Sequence, residues 1–275
     1  MSGSTAILIN NDIEAIAIGN FDGMHIGHQA LFSKLGKHGA IVVIEHFRAT
    51  LTPHIYRARY TSYPLCLHDF GKVRDKNPEE FVSLLRHEFP SLKRIVVGDD
   101  FHFGLDRSGD VETLKSLFAG EVVIVKEVAV GQTPVHSRFI RKEIEAGNIK
   151  KANEMLGHPY EIWGEVIKGQ GIGAKELVPT INLSVSRFLL PKEGVYVTTT
   201  CIEGREYPSV TFIGHRVTTD GDWAVETHLI DADVANVQGK ICIRWHSFLR
   251  ENRKFDSFES LKIQIGKDIE DACGA

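Results

Sequence analysis

Cysteine is scarce in this chain. There are four in 275 residues, Cys66, Cys201, Cys242 and Cys273, and no two have Cys-x-x-Cys spacing. That spacing is what a zinc ribbon or a redox dithiol motif needs, so reduced, mostly structural thiols of a cytoplasmic protein are expected instead. A surplus of one charge is missing too. Lys and Arg number 32 against 36 Asp and Glu, for a net −4, and no basic domain stands out. No general nucleic-acid surface and no surface for an acidic membrane follows from such a balance. No uninterrupted apolar run approaches the roughly 20 residues of a membrane helix. The opening Met1-Ser2-Gly3-Ser4-Thr5 lacks the charged start and apolar core of a signal peptide. Internal repeats and low-complexity linkers are absent as well. The hydrophobic fraction, 43%, is that of an ordinary globular chain, and the length allows one large or two ordinary domains.

The stretch around which the chain is organised is Gly19-Asn20-Phe21-Asp22-Gly23-Met24-His25-Ile26-Gly27-His28. The apolar run Ile13 to Ile18 before it reads as a buried strand, and Gln29 to Lys37 after it reads as a helix. Strand, glycine-punctuated turn and helix start together make an anion cradle, with unpaired N–H groups and the positive end of a helix dipole aimed at one place. His25 and His28 can donate hydrogen bonds to phosphate oxygens. Gly19, Gly23 and Gly27 allow tight turning and close approach of backbone to ligand. The expected guest is a nucleotide phosphate. Two plainer readings stay open on these residues alone: a His-x-x-His metal pair, although no Glu sits between the histidines, and a turn with solvated histidines.

Up to about residue 156, strand-like and helix-like segments alternate. Ile41 to Ile44, Arg94 to Val97 and Val122 to Val125 are short apolar strands. Helical spacing runs over Pro78 to Phe89, Val111 to Phe118, Ser137 to Ala146, with Ser137 as N-cap, and Lys150 to Leu156. Short Val- and Ile-rich runs between helices predict a parallel, doubly wound sheet, which binds ligands beyond the carboxyl ends of its strands. The pattern changes near Pro159. Val195 to Ile202, Trp223 to Ile230 and Ile241 to Trp245 are strand-like, with turns between them, which predicts a small antiparallel barrel. Phe255 to Ala272 is expected to close the chain as an amphipathic helix with Phe258, Leu261, Ile265 and Ile269 as its apolar stripe.

The ten-residue string resembles the Gly-x-Phe-Asp-Gly-x-His-x-Gly-His signature of the HIGH-type nucleotidyltransferases, and most closely the adenylyltransferase module of bifunctional bacterial riboflavin kinase/FAD synthetases. Gly98-Asp99-Asp100-Phe101-His102-Phe103-Gly104 resembles that family's Gly-x-Asp/Asn-Phe-x-Phe-Gly segment. Val135-His136-Ser137-Arg138-Phe139-Ile140-Arg141 resembles its Ile-Ser-Ser-Thr-x-Ile-Arg segment, departing from it at His136 and Arg138. The family's Phe-x-Pro-His-Pro stretch is altered to Ile44-Glu45-His46-Phe47. The resemblance implies ATP binding by Gly19, Phe21, Asp22, Gly23, Gly27 and Ser137, catalysis by His25, His28 and Arg141, and a flavin or adenine contact at Asp100.

The second half carries an equally ordered set. Gly164 to Gly173 followed by Pro179-Thr180-Ile181-Asn182-Leu183 resembles the riboflavin kinase entry segment Gly-x-Val-x-x-Gly-x-Gly-x-Gly…Pro-Thr-x-Asn-Leu. Gly169, Gly171 and Gly173 would let backbone approach ATP phosphates, and Thr180 and Asn182 offer hard oxygen ligands for Mg²⁺. Ala174, Glu176 and Leu177 depart from the pattern. Phe212-Ile213-Gly214-His215-Arg216 matches the family's Asn-Ile-Gly segment in part, without the Asn. Ala224 to Asp231 matches a Val-Glu-x-His-Leu-x-Asp strand whose Glu is the family's base, here Glu226. Phe248 to Phe258, with Leu261, Gln264, Ile265 and Asp268, resembles the terminal pattern and implies Arg250 near the flavin.

The expected fold is α/β plus β: a doubly wound, Rossmann-like nucleotidyltransferase domain over residues 1–158, then a riboflavin kinase β-barrel with a terminal helix over 159–275. The function so implied is phosphorylation of riboflavin to FMN and adenylylation of FMN to FAD, with ATP and Mg²⁺, small-molecule substrates, no nucleic acid and no membrane. A riboflavin kinase with a degenerate first module, and a non-catalytic flavin- or nucleotide-binding regulator, are the alternatives.

Overall fold

A computed structural model of the chain describes residues 12–45, 49–168, 178–216, 221–232 and 237–274. It forms two compact units. One runs to His136 apart from Ala49–Leu51; the other consists of Ala49–Leu51 and everything from Ser137 onward.

In the first unit the elements follow as β1 (Ala15–Gly19), α1 (Ile26–Phe32), β2 (Gly39–Glu45), a 3-10 turn (His54–Tyr60), β3 (Leu65–Asp69), α2 (Phe70–Val73), α3 (Pro78–Glu88), β4 (Arg94–Gly98), α4 (Val111–Leu117) and β5 (Glu121–Val125), then the small hairpin β6 (Ala129–Val130) and β7 (Thr133–Pro134). The five main strands are parallel in the order β3-β2-β1-β4-β5. Neighbouring residues along β1 face opposite ways, and each way is buried. Ile16 and Ile18 pack with Val82, Leu85 and Phe89 of the α3 region and with Leu114 of α4. Ala15 and Ala17 pack with Leu31 and Phe32 of α1 and with Phe21 and Met24 of the turn before it. A strand with helices on both faces reads as a continuous apolar run, which is why Ile13 to Ile18 was legible. The edge strand β3 was not. Its Leu65-Cys66-Leu67-His68-Asp69 is half-exposed and mixed in character. α1 is also shorter than expected. It stops at Phe32, where the Ser33 hydroxyl donates back to the Ala30 carbonyl at 2.7 Å and Gly36 turns left-handed at φ +70°.

The second unit opens with α5 (Ser137–Glu145) and α6 (Ile149–Leu156), then β8 (Tyr160–Ile167), β9 (Ile181–Val185), β10 (Gly194–Ile202), β11 (Arg205–His215), β12 (Trp223–Leu229), β13 (Lys240–Arg250) and α7 (Phe258–Cys273). The strands close into an antiparallel barrel of order β10-β11-β12-β9-β8-β13. Ser137 is the first residue of α5 rather than the residue before it. The expected division at 158/159 falls within this unit. α6 belongs with the barrel: Asn153 donates to the Trp245 carbonyl of β13 and accepts from the Tyr160 N–H of β8, each at 2.8 Å. α7 begins three residues later than expected because Ser257 caps it, taking the Ser260 N–H in a capping box. Phe258 is exposed rather than part of the apolar stripe, whereas Leu261, Ile265 and Ile269 are half-buried.

The barrel interior holds a closed ring of hydroxyls. Thr198 bonds Ser209 (2.8 Å) and Thr211 (2.7 Å), Thr200 bonds Ser209 and Thr227 (both 2.9 Å), and Thr211 bonds Thr227 (3.0 Å). All five side chains are buried. A hydroxyl can give one hydrogen bond and accept others, so a ring leaves none unsatisfied where no water reaches. The ring ties β10, β11 and β12 together from inside. It thereby fixes which side chains of β12 point out.

Candidate functional site

In the first unit the strand order reverses between β1 and β4, so the crevice beyond their carboxyl ends is where an open parallel sheet takes a ligand. The signature turn leaves β1 there, and the segment after Gly98 leaves β4 beside it. The turn is held in an unusual shape. Phe21 (φ +49°), Gly23 (φ +88°) and Met24 (φ +47°) all adopt left-handed backbone, which costs on the order of 1–3 kcal/mol at a non-glycine residue unless the surroundings enforce it. The surroundings do so. The Phe21 and Met24 side chains are buried in the cluster shared by β1 and α1. Buried Asp22 accepts the Thr52 N–H at 3.1 Å, and Asn20 donates to the Ile44 carbonyl at 2.7 Å. Arg57, fully buried, donates from Nε to the Phe21 carbonyl (3.3 Å) and from Nη1 to Glu45 (2.9 Å). Phe21 and Asp22 therefore build the turn from below.

His25 is the N-cap of α1, and its Nδ1 accepts the backbone N–H of His28 at 3.3 Å. An accepting Nδ1 carries no proton, so the neutral ring holds its proton on Nε2. The two imidazoles stack with centroids 3.4 Å apart, and Phe21 meets His28 edge-on at 5.1 Å. Gly27 permits the stack, since a Cβ there would lie 3.1 Å from His25 Nδ1. Burial pushes the His28 pKa well below the usual histidine range, and the neighbouring His25, Arg57 and His136 push it the same way. His28 is thus a neutral ring at pH 7, and its buried Nδ1 has no hydrogen-bond partner among the described residues. Asp100 is exposed just beyond β4, and Phe103 packs into the core against Phe101 and Phe81.

Ser137 and Arg141 stand on α5, in the second unit; Arg141 Nη1 donates to the Ala49 carbonyl at 3.0 Å. At the two departures from the family pattern, His136 pairs with Glu127 and Arg138 lies over the Phe139 ring at 4.8 Å.

The barrel's outer face carries the second constellation. Glu226 of β12 lies directly opposite Asn182 of β9, and such cross-strand partners project to the same side. Arg216, at the end of β11, donates from Nη1 to Glu226 at 3.1 Å. Two positions further along β12, His228 holds the Pro179 carbonyl at 2.7 Å and so pins the backbone beside Thr180. A cavity of about 410 Å³ opens here, lined by Lys168, Asn182, Arg216, Trp223 and Val225 among others. Gly169, Gly171 and Gly173, like His46, Phe47, Ala174, Glu176 and Leu177, lie outside the described residues. Arg250 closes a two-pronged bond on buried Asp268 of α7, at 2.8 and 2.7 Å, with Gln264 donating to the same carboxylate. Its planar fork is occupied by that carboxylate.

Sequence reasoning overlooked Arg57, Arg216 and the positioning part of His228. Arg57 had no signal, because an arginine in an irregular segment reads as surface. Arg216 and His228 were inside matched strings, where register with Glu226 could have singled them out. Among the described residues no cluster of three or more His, Cys, Asp or Glu could hold a metal, and no helix is long and apolar enough to cross a membrane.

Comparison with known proteins finds a family for each half of the chain. A family model for FAD synthetase matches residues 9–58 and 62–139, and one for riboflavin kinase matches 156–274. The bifunctional riboflavin kinase/FMN adenylyltransferase of Pseudomonas fluorescens is 32% identical over 92% of this chain and 89% of its own length. That of Escherichia coli K12 is 28% identical over 92% and 90%. A crystal structure described as a macrolide-efflux protein from Streptococcus pneumoniae superposes with a TM-score of 0.84 at 30% identity, over 95% of this chain and 94% of that one. The chain belongs to the family of bifunctional riboflavin kinase/FMN adenylyltransferases, enzymes with both activities.

Proposed function

We propose that this chain makes FMN at Glu226 in its barrel and FAD at the His25–His28 pair in its parallel-sheet unit. The kinase half rests on one observation above the others: the Glu226 carboxylate and the Asn182 amide stand opposite each other across β12 and β9, and Asn182 and the Arg216 that holds Glu226 both line a cavity. The riboflavin 5′-hydroxyl attacks the γ-phosphorus of ATP, the bond from that phosphorus to the β-bridging oxygen breaks, and the hydroxyl proton passes to Glu226. Arg216 holds the carboxylate in place. Thr180 and Asn182 fit Mg²⁺ by chemistry, as hydroxyl and amide oxygens beside a phosphate site, and would hold it there. A bound Mg²⁺ would offset charge on the phosphates. The glycines at 169, 171 and 173 are assigned to the same ATP.

In the adenylyl transfer the FMN phosphate, already anionic, attacks the α-phosphorus of a second ATP and pyrophosphate leaves. No base is required. The neutral rings donate hydrogen bonds from fixed positions, His25 through Nε2–H, and backbone at Gly19, Gly23 and Gly27 approaches the phosphates. Ser137 and Arg141 are assigned to the pyrophosphate, and Asp100 and Arg250 to the flavins. None of the four cysteines is in a disulfide, which supports a cytoplasmic setting, and small molecules are the only partners the reading needs. The functional boundary is placed at 158/159, with α5 and α6 as structural support for the barrel.

Two labels test this. Supplied with riboflavin and Mg²⁺, the protein should move label from the γ-phosphate of ATP into FMN, and label from the α-phosphate only into FAD. Absence of α-label from every flavin would leave a kinase alone.

A further inference from the structure

Cys201 of β10 and Cys242 of β13 are direct partners across the two strands. Opposed residues of an antiparallel pair keep their Cα atoms roughly 4.5–5.5 Å apart, within the roughly 4.4–6.8 Å that a disulfide spans. Both side chains point to the barrel's outer face, because their neighbours Thr200 and Ile243 are buried in its interior. The pair is asymmetric. Cys242 is 0% exposed, while Cys201 is half-buried and reachable.

The surroundings activate one sulfur. The Cys242 thiol hydrogen-bonds the Cys201 sulfur, and the Arg244 guanidinium adds positive charge. Together they outweigh burial and the opposing carboxylates of Glu206 and Glu161, and hold the Cys201 pKa down at about 7. Arg244 is fixed there by Glu161 at 2.7 Å and by Glu206. A substantial share of Cys201 is therefore thiolate at neutral pH, the form that reacts. Cys66 is the contrast: burial and Glu88 push its thiol up.

We propose that Cys201 and Cys242 form a redox-active thiol pair, in which Cys201 attacks hydrogen peroxide and Cys242 resolves the product as an intrachain disulfide. In the first step the Cys201 sulfur bonds one peroxide oxygen, the O–O bond breaks, and the departing oxygen leaves as water after taking up a proton. In the second, the Cys242 sulfur bonds the Cys201 sulfur, the S–O bond breaks and a second water leaves. The sulfur pair loses two electrons and hydrogen peroxide gains them. The pair is separate from the kinase site. Glu226 pairs with Phe212, which pairs with Val195, and Cys201 lies six residues along β10 from Val195, roughly 20 Å at strand spacing.

The test uses the reduced full-length protein, titrated with hydrogen peroxide at pH 7, blocked with an alkylating reagent, digested without reductant and mapped by mass spectrometry. The peptide joining Cys201 to Cys242 should appear first, with Cys66 and Cys273 still alkylated. In Cys242→Ser, Cys201 should accumulate as a sulfenic acid that dimedone traps. In Cys201→Ser, Cys242 should stay reduced, and both variants should still phosphorylate riboflavin. Alkylation of Cys201 undiminished at peroxide levels that already oxidise Cys273 would overturn the proposal. So would equal oxidation of Cys242 in wild type and Cys201→Ser. The wild-type map decides without the variants should either fold poorly.

Discussion

The two proposed sites are built by opposite structural means. The histidine pair sits on a turn with three left-handed residues in four positions, held by side chains packed beneath it. Glu226 sits in a regular strand and meets Asn182 through register alone. A site of the first kind is made by backbone that is costly in isolation, and its integrity depends on glycines and buried clamps. A site of the second kind costs the backbone nothing, and depends on whatever prevents the strand from slipping. Here that includes the ring of five hydroxyls inside the barrel.

The largest effects should fall where a single group does chemistry. Glu226→Gln removes the proposed base and keeps the shape, so riboflavin phosphorylation should fall ~10²–10⁴-fold in a steady-state assay, while FAD formation from supplied FMN is retained. Kinase turnover within twofold of wild type would remove Glu226 from the mechanism. On the turn, His28→Ala should lower FAD formation roughly 10²–10³-fold, the cost of one preorganised donor, and leave FMN formation alone.

Next come the supports. Arg57→Met strands Glu45 without its buried partner and frees the Phe21 carbonyl. Breaking a buried pair in this way costs about 3–5 kcal/mol, so the first unit should melt earlier in calorimetry while the barrel's transition stays put. Thr227→Val opens the hydroxyl ring and leaves Thr200 and Thr211 each short of a partner. A loss of about 1–3 kcal/mol is expected, confined to the barrel. A single joint transition that moves equally in both variants would erase the contrast between the two kinds of site.

The smallest expected effect concerns pH. His28 is held neutral in the fold, whereas an unfolded chain would titrate near the ordinary value of 6.5. Below that value the unfolded state binds the extra proton and the folded state does not, so stability rises with pH through this window and falls as pH drops from about 6.5. Denaturant midpoints of the first unit should decline between pH 7 and 5 in wild type, and decline less in His28→Asn. Equal slopes would mean that His28 is not the group held neutral.

How much of this was legible depended on whether a residue acts through its local string. The signature string, the parallel sheet and the barrel were readable because periodicity and glycine placement are local. His25 as a helix cap was not, since histidine is not a usual cap, and here the cap serves the stacked ring pair. Nor was the hydroxyl ring. Thr198 and Thr200 alternate with Val197 and Thr199, so both faces of β10 look equally suited to either side. Only closure of the barrel shows that the threonines point inward. The placement of α5 and α6 was likewise hidden, because Asn153 reaches Trp245 across more than ninety residues of chain. Fragments beginning at Ser137 should therefore be more heat-stable than fragments beginning at Gly157.

The central claim is that one chain holds two chemically independent sites. The most direct measurement mixes the two variants. Glu226→Gln alone should make no FAD from riboflavin, and His28→Ala alone should stop at FMN. Combined in one vessel with riboflavin, ATP and Mg²⁺, they should produce FAD on chromatography, because FMN released by one protein serves the other. Loss of both reactions in either variant, or a mixture that stops at FMN, would contradict the account.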